Sequence, residues 1–400
     1  MASQSSTSHS STPDVMEQPV KTATPRKLFS IGLPRCSDPA ERRFPLTPEG
    51  AGQLVEQGFQ VWIESGAAST IHYSDNQYAA CGVKICDRRE ALRAEIVMNL
   101  APMSPADIAC MRRGALLLTL SSLCRLNADS ISALLDRSII TIAIDMIRDE
   151  SGNPPFADIL SEIDGRAAIA RASSLLADSV HGKGILLGGV AGITPCEVTV
   201  IGSGIAACAA ARSAEGAGAL VRMFDHDIYR LRRAERELSG RIVTSALHPR
   251  VIENALRTAD VVVYTGVTPT PAFGHDTVAL MKRGVIIFDL TADCGKAFPS
   301  VPTIDLALAS PLDISLTEPS RACYINAGSA AARTAAMALS NTFATMLTSL
   351  VDCEGVTNAL KLLPGLQRAA LTFLGKAVNH EVARRIGRRH VDINIYLTLS

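Results

Sequence analysis

Between Glu197 and Asp225 the chain reads strand, glycine turn, helix, strand, acid. Val198-Thr-Val-Ile201 is apolar and β-branched and runs directly into Gly202-Ser203-Gly204-Ile205-Ala206-Ala207, which opens an Ala-rich segment. Few folds accept that order. The first glycine permits a tight turn and the second lets backbone approach a pyrophosphate. The small Ala207 allows close packing of helix on strand. An anion would sit at the helix N-terminus, where unpaired N–H groups and the helix dipole favour negative charge. The next strand, Leu220 to Asp225, ends in an acid at the offset expected of a ribose-binding carboxylate. These features predict a dinucleotide-binding α/β unit. Asp225 points to NAD over NADP, because a carboxylate there accepts ribose hydroxyls and repels a 2′-phosphate. Arg222, His226 and Arg230 lie nearby in sequence and are read as a solvated face.

The rest of the chain is too long for that unit alone. Its 400 residues favour two domains. From Lys27, β-rich runs alternate with helical patterns: strands at 28–33, 59–63, 96–100, 115–120 and 139–145, with helices between them. Thr47-Pro48 opens one helix, as N-cap and first helical residue. Alternation of this kind predicts a parallel sheet covered by helices. A turn-rich break at Ser151 to Pro155 precedes an apolar helical pattern from Ile159 to Val180, read as a connector. Further strands are expected at 242–245, 261–265 and 285–289, and from Arg333 the chain reads as almost wholly helical. The fold class is therefore α/β, with two Rossmann-like doubly wound domains joined by long helices and a cleft between them. Residues 27–155 with 330–400 are expected to form a discontinuous substrate-type domain, and 156–329 the dinucleotide domain. Residues 1–26, rich in Ser, Thr and Pro, are expected to be a disordered tail.

Several function classes are disfavoured. Charge balances at 39 basic and 39 acidic residues, against a nucleic-acid binder. No apolar run is long enough to span a bilayer. The ten cysteines show no CxxC pair and no metal-ligand spacing, so no metal is expected. They read as small buried hydrophobes in a reducing compartment, and with no apolar leader at the N-terminus the expected location is the cytoplasm.

Beyond the glycine turn, a string of motifs resembles the alanine dehydrogenase and pyridine nucleotide transhydrogenase family. Ile31-Gly-Leu-Pro34 with Glu41-Arg-Arg-Phe-Pro-Leu-Thr-Pro48 is similar to the family's GxP…ExRVALTP, and Glu64-Ser-Gly-Ala67 to its ExGAG. Leu160-Ser-Glu-Ile-Asp-Gly-Arg166 is similar to MSEVAGR, and Gly188 to Pro195 to GGVPGVxPA. Asp289 to Gly295 resembles VDIAIDQGG, and Asn326 to Thr334 with Ala338 to Asn341 resembles NMPxxVPxTST…ALTN. The likeness spans residues 28 to about 387 and favours the alanine dehydrogenase branch.

The resemblance implies NAD as cofactor, an amino acid or 2-oxo acid as substrate, and a homo-oligomer, often a hexamer. It implies cofactor contacts at Ser161, Gly202, Ser203, Gly204, Ile205, Ala206, Asp225, Val267 and Asp293. Arg43 matches the family's substrate-carboxylate arginine, and Asp293 its catalytic aspartate. Two matches fail. The family's LLLKVKEP reads Ile96 to Met103 here, with Asn99 and Ala101 where lysines are expected. Its FTFLHLA reads Leu118 to Cys124, with Ser122 at the catalytic histidine position. His72 is the histidine nearest in sequence to this sheet. The expected function is NAD-dependent oxidation of L-alanine or a related amino acid to the 2-oxo acid and ammonia. The alternative is a catalytically degenerate NAD(H)-binding protein, or a transhydrogenase-like nucleotide carrier.

Overall fold

The fold is described from a computed structural model covering residues 29–121, 126–292, 295–309, 321–353 and 355–399. Two sheets organise it. The first contains β1 (Ser30–Leu33), β2 (Gln60–Glu64), β3 (Lys84–Cys86), β4 (Ile96–Met98), β5 (Leu116–Thr119) and β6 (Ile140–Ala143). The second contains β7 (Glu197–Ile201), β8 (Leu220–Asp225), β9 (Val243–Ala246), β10 (Val261–Tyr264), β11 (Ile286–Asp289), β12 (Thr303–Asp305) and β13 (Ala322–Ile325). Near the C-terminus, β14 (Ala370–Phe373) and β15 (Lys376–Ala377) return to the first sheet. The strand orders are β15-β14-β6-β5-β4-β1-β2-β3 and β12-β13-β11-β10-β7-β8-β9.

In each sheet the order reverses once. β1 lies between β2 and β4, and β7 between β8 and β10, with parallel pairing throughout both neighbourhoods. A crevice opens at the carboxyl ends of the strands on either side of such a reversal, which is where ligands bind in doubly wound sheets. Buried on both faces, the central strands are mostly apolar at successive positions instead of alternating. β5 and β6, like β10 and β11, are buried at every position.

The helix Pro155–Ala177 joins the two halves and starts four residues before the apolar pattern suggests, because Pro155 is acceptable in a first turn. Its first turns bury Phe156, Leu160 and Ile163 in the core of the first sheet. Its later turns bury Ala168, Ile169, Ala172 and Leu176 in the core of the second. The apolar stripe changes face midway, so one helix serves two cores. At the changeover stands Gly165, against the helix Ile205–Gly216. A Cβ on Gly165 would lie 2.2 Å from the Ala206 carbonyl oxygen and 2.9 Å from the Ala210 nitrogen. Only hydrogen fits there.

The helix Ala332–Asp352 packs back on the first sheet, placing Leu339, Phe343 and Leu347 in its core. The C-terminal segment is not wholly helical, contrary to the sequence pattern. β14 pairs antiparallel with β6, and Thr372 Oγ1 donates to the Ile139 carbonyl oxygen at 2.9 Å. Leu374 and Gly375, both at positive φ, make the two-residue turn into β15. Leucine there hides the turn from a sequence reading. The expectation that the cysteines are buried also needs correction: of the eight described, only Cys196, Cys208 and Cys323 are buried, and Cys110 is exposed. No described helix is long and apolar enough to cross a membrane.

The helix crossing generates a prediction. Gly165→Ala inserts a methyl group where backbone already stands, an overpacking change that costs roughly 1–3 kcal/mol. A lowered apparent melting temperature is expected, and an unchanged one would show that the crossing yields without strain.

Candidate functional site

The turn after β7 is built by close approach. Gly202 sits at φ +111° with its N–H on the Phe224 carbonyl oxygen at 2.7 Å, and a Cβ there would meet Thr265 Oγ1 at 2.2 Å. Glycine is therefore required by the protein itself. Gly204 differs: a Cβ on it would meet no described atom within 4 Å, so nothing in the protein demands glycine at the helix N-cap. That open space beside unpaired helix N–H groups is the cradle a pyrophosphate needs.

Asp225 closes β8 almost wholly buried. Its Oδ2 accepts the Ser203 hydroxyl at 2.6 Å and its Oδ1 the Asp227 N–H at 3.0 Å. Each carboxylate oxygen keeps a lone pair for a ribose hydroxyl. Arg222 is three residues up the strand and pairs with Glu197 at 3.4 Å, at the far end of β8 from Asp225. His226 and Arg230 are exposed. Val267 is buried just past β10, and Ile205 is partly exposed at the first helical position beside the open cradle. Ser161 is half-buried on the connector helix, four residues before Gly165. Asp289, at the end of β11, accepts the Thr291 N–H at 2.9 Å, the Thr291 hydroxyl at 2.6 Å and the Gly295 N–H at 2.8 Å. It thus ties Thr291 and Gly295 to the end of β11. Asp293 and Ser122 lie outside the described residues.

The carboxyl edge of the first sheet meets that of the second through a polar latch. After β1 the chain runs through Ala40, Glu41 and Arg43 to Thr47, the N-cap of the helix Pro48–Glu56. The Ala40 carbonyl oxygen accepts Asn326 Nδ2 at 2.8 Å and the Ser329 hydroxyl at 3.0 Å, and the Arg42 N–H donates to Ser329 Oγ at 3.0 Å. Asn326 and Ser329 follow β13, in the second sheet. The loops after β1 and β13 are thereby tied together.

Arg43 is held at this junction. Its Nε donates to Glu41 Oε1 at 2.7 Å and its Nη2 to the other oxygen, a bidentate pair. Burial works against the guanidinium charge, but Glu41 together with Asp164 and Asp145 outweighs it and holds the pKa above its ordinary value. Asp145 follows β6 and accepts both the N–H, at 2.7 Å, and the hydroxyl of Ser121, which follows β5. Asn99 and Ala101 follow β4 and are buried. The Asn99 amide donates to the Ala101 carbonyl oxygen at 2.7 Å, which commits it to the loop's own backbone. Neither brings a cation. His72 is exposed in a left-handed backbone conformation beside the short helix Ala67–Ile71.

Sequence reasoning singled out Arg43 and missed its neighbours. Glu41 was visible only as part of a motif, and Asp145 only as a strand end. Asp164 and Gly328 carried a clearer signal: they stand where MSEVAGR has alanine and NMPxxVP has proline. Among the described residues no cluster of three or more metal-ligand side chains occurs.

Comparison with known proteins agrees with this geometry. The family models for the N-terminal and C-terminal domains of alanine dehydrogenase/PNT match residues 32–163 and 168–380. The alanine dehydrogenase of Mycolicibacterium smegmatis is 30% identical over 374 residues, covering 92% of this chain and 99% of that protein. The alanine dehydrogenase of Bacillus subtilis is 29% identical over 369 residues, covering 90% and 96%. Among solved structures, an L-alanine dehydrogenase superposes with a TM-score of 0.79 at 24% identity, covering 90% of this chain and 99% of that one. A transhydrogenase from Sinorhizobium meliloti gives 0.70 at 19% identity, covering 88% and 99%. Matched along nearly its whole described length by both domain models, the chain belongs to the alanine dehydrogenase and pyridine nucleotide transhydrogenase family.

Proposed function

We propose that this protein is an NAD-dependent amino-acid dehydrogenase, converting L-alanine or a close relative, with water, to the 2-oxo acid, ammonia and NADH. One observation carries the reading. The carboxyl edges of two doubly wound sheets close on each other, with a dinucleotide turn on one and Arg43 on the other. Relatives matched over nine-tenths of the chain and named alanine dehydrogenase support it. They weigh against a binder without chemistry.

In this reading the substrate-type domain is 27–155 with 330–400, and the dinucleotide domain is 156–329. Gly202, Ser203, Gly204, Ile205 and Ala206 hold the pyrophosphate, Asp225 holds the ribose, and Ser161, Val267 and Asp293 complete the cofactor contacts. Bound NAD supplies the hydride acceptor. Arg43 receives the substrate carboxylate, drawing on a guanidinium that Glu41 already orients. Asn99 and Ala101 line the pocket floor, and Ser122 and Asp293 take the positions that the resemblance gives to the catalytic histidine and aspartate. The chain acts in the cytoplasm, where thiols are kept reduced.

It also assembles with copies of itself, a hexamer being the arrangement the resemblance implies. Supporting this, Val180, Leu186, Val190 and Ile193 are each more than half exposed along the loop after the connector helix.

Three measurements test these statements. NADH should bind with a Kd in the micromolar range or tighter, on the order of −8 kcal/mol, and more tightly than NADPH. Asp225→Ala should weaken NADH at least tenfold and erode the preference. Equal affinity for both in the unmodified protein would remove Asp225 from that role. L-Alanine should support NAD reduction; intact NADH binding with no turnover of any amino acid would reject the dehydrogenase. Light scattering should give a multimer that Leu186→Glu with Ile193→Glu reduces in size, whereas a monomeric parent protein would contradict the assembly.

A further inference from the structure

One arginine outside the site makes as many hydrogen bonds as a guanidinium has N–H donors. Arg88 opens the short helix Arg88–Leu92 just past β3, at the carboxyl edge of the first sheet. Its Nε and Nη2 donate to the two carboxylate oxygens of Asp107, at 2.8 and 2.7 Å, on the helix Pro105–Cys110 that follows β4. Its Nη1 donates to Glu64 Oε2, at the end of β2, and to the Arg35 carbonyl oxygen, both at 2.9 Å. Nη2 also donates to Ser37 Oγ at 2.8 Å. Five donors thus meet five acceptors. An exposed ion pair contributes little, because solvent competes for both partners. Here the Glu64 and Asp107 side chains are each only 15% exposed, and three segments of chain end on one planar group.

What that group holds is the loop leading to the substrate arginine. Arg35 and Ser37 follow β1, and the Arg35 N–H adds a bond to Glu64 Oε2 at 2.7 Å. Asp38 carries the order forward. Its Oδ1 accepts the Ala40 N–H at 2.9 Å, and its carbonyl oxygen accepts the Glu41 N–H at 3.1 Å. Glu41 Oε1 in turn accepts the Arg43 N–H at 3.0 Å and Nε at 2.7 Å, while Oε2 accepts Nη2. Hydrogen bonds between adjoining residues therefore lead from 88 to 43 without a gap. Beyond Asp38 the same loop is latched to Asn326 and Ser329 of the second sheet. Arg43 is thus located from two sides, by Arg88 on its own sheet and by the latch on the other. Lysine could not replace Arg88, since one ammonium cannot grip Asp107 bidentately and still reach Glu64, Arg35 and Ser37.

We propose that Arg88 is a positioning residue for substrate binding: it fixes the loop after β1 so that Arg43, with Nε and Nη2 on Glu41, turns Nη1 to the substrate carboxylate. This role rests on the dehydrogenase reading and gives Arg88 no chemical step. Arg88 acts through Arg43 alone, because the dinucleotide turn and Asp225 belong to the other sheet. Its loss weakens the amino acid and the 2-oxo acid and spares the dinucleotide. A guanidinium that grips a carboxylate equally in the ground and transition states contributes to KM and not to kcat. The signature of Arg88 is therefore a raised KM at unchanged kcat.

Steady-state kinetics of the full chain with L-alanine and NAD tests this. Arg88→Lys should raise the KM for L-alanine about tenfold or more, the effect of misplacing a binding group by a fraction of an ångström. Its kcat should stay within about twofold of the parent value. Fluorescence titration should give an unchanged NADH affinity, which also reports that the variant is folded. Asp107→Asn, on a different helix, should raise KM in the same direction by a smaller factor, and it decides the outcome if Arg88→Lys fails to bind NADH. A double-mutant cycle separates positioning from general support of the fold. In an Arg43→Ala background, Arg88→Lys should leave kcat/KM unchanged, since the residue it positions is gone. An unchanged KM in the folded variant, or an equal loss of kcat/KM with and without Arg43, overturns this proposal alone. No turnover of any amino acid by the unmodified protein overturns both it and the dehydrogenase.

Discussion

The approach of the connector helix to the first helix of the dinucleotide unit sets everything downstream. Gly165 faces the Ala206 carbonyl with no room for a side chain, and Ala209 and Ala210 extend the contact. Small residues on both sides let the backbones approach at short range, so dispersion contacts accumulate where bulkier residues would hold the helices apart. That contact lies one residue after Asp164 and one turn after Ser161. It therefore fixes the distance between the cradle at Gly204 and the arginine at 43. The latch from Ala40 and Arg42 to Asn326 and Ser329 adds the second point of fixation.

Chemistry in such a junction is governed by charge bookkeeping in a poorly solvated space. Arg43 is neutralised by Glu41 before any ligand arrives, so its service to a substrate lies more in orientation than in net attraction. The buried amide of Asn99, turned into its own loop, replaces a cation with a structural hydrogen bond. A pocket with that balance takes up anions only if charge is compensated elsewhere. The acid at 164 and the glycine at 328 are two more positions where this chain differs from the motifs it resembles, and they stand against each other.

What could be read from the sequence was local in sequence. Gly202, Ser203 and Asp225 are separated by one turn and one helix, and their spacing carries the geometry with it. The parallel pairing followed from the alternation of strands and helices, whereas the order of the strands came only with the fold. The antiparallel β14 was hidden because four residues, Ala370 to Phe373, sit among helical segments and their turn uses leucine at positive φ. The connector's start was shifted because the apolar pattern begins later than the helix. Asp164 and Gly328 meet across a long sequence separation, and only the fold brings the side chain of one against the Cα of the other. Glu41 stands only two residues before Arg43, yet that spacing alone does not show that their side chains pair.

The central claim is that one site lies between the two carboxyl edges and uses both. A crystal structure of the protein with NADH and pyruvate bound tests it most directly. The account places the pyrophosphate over Gly204, the adenosine ribose on Asp225, and the pyruvate carboxylate on Arg43. A dinucleotide elsewhere, or pyruvate bound without contact to Arg43, would contradict it.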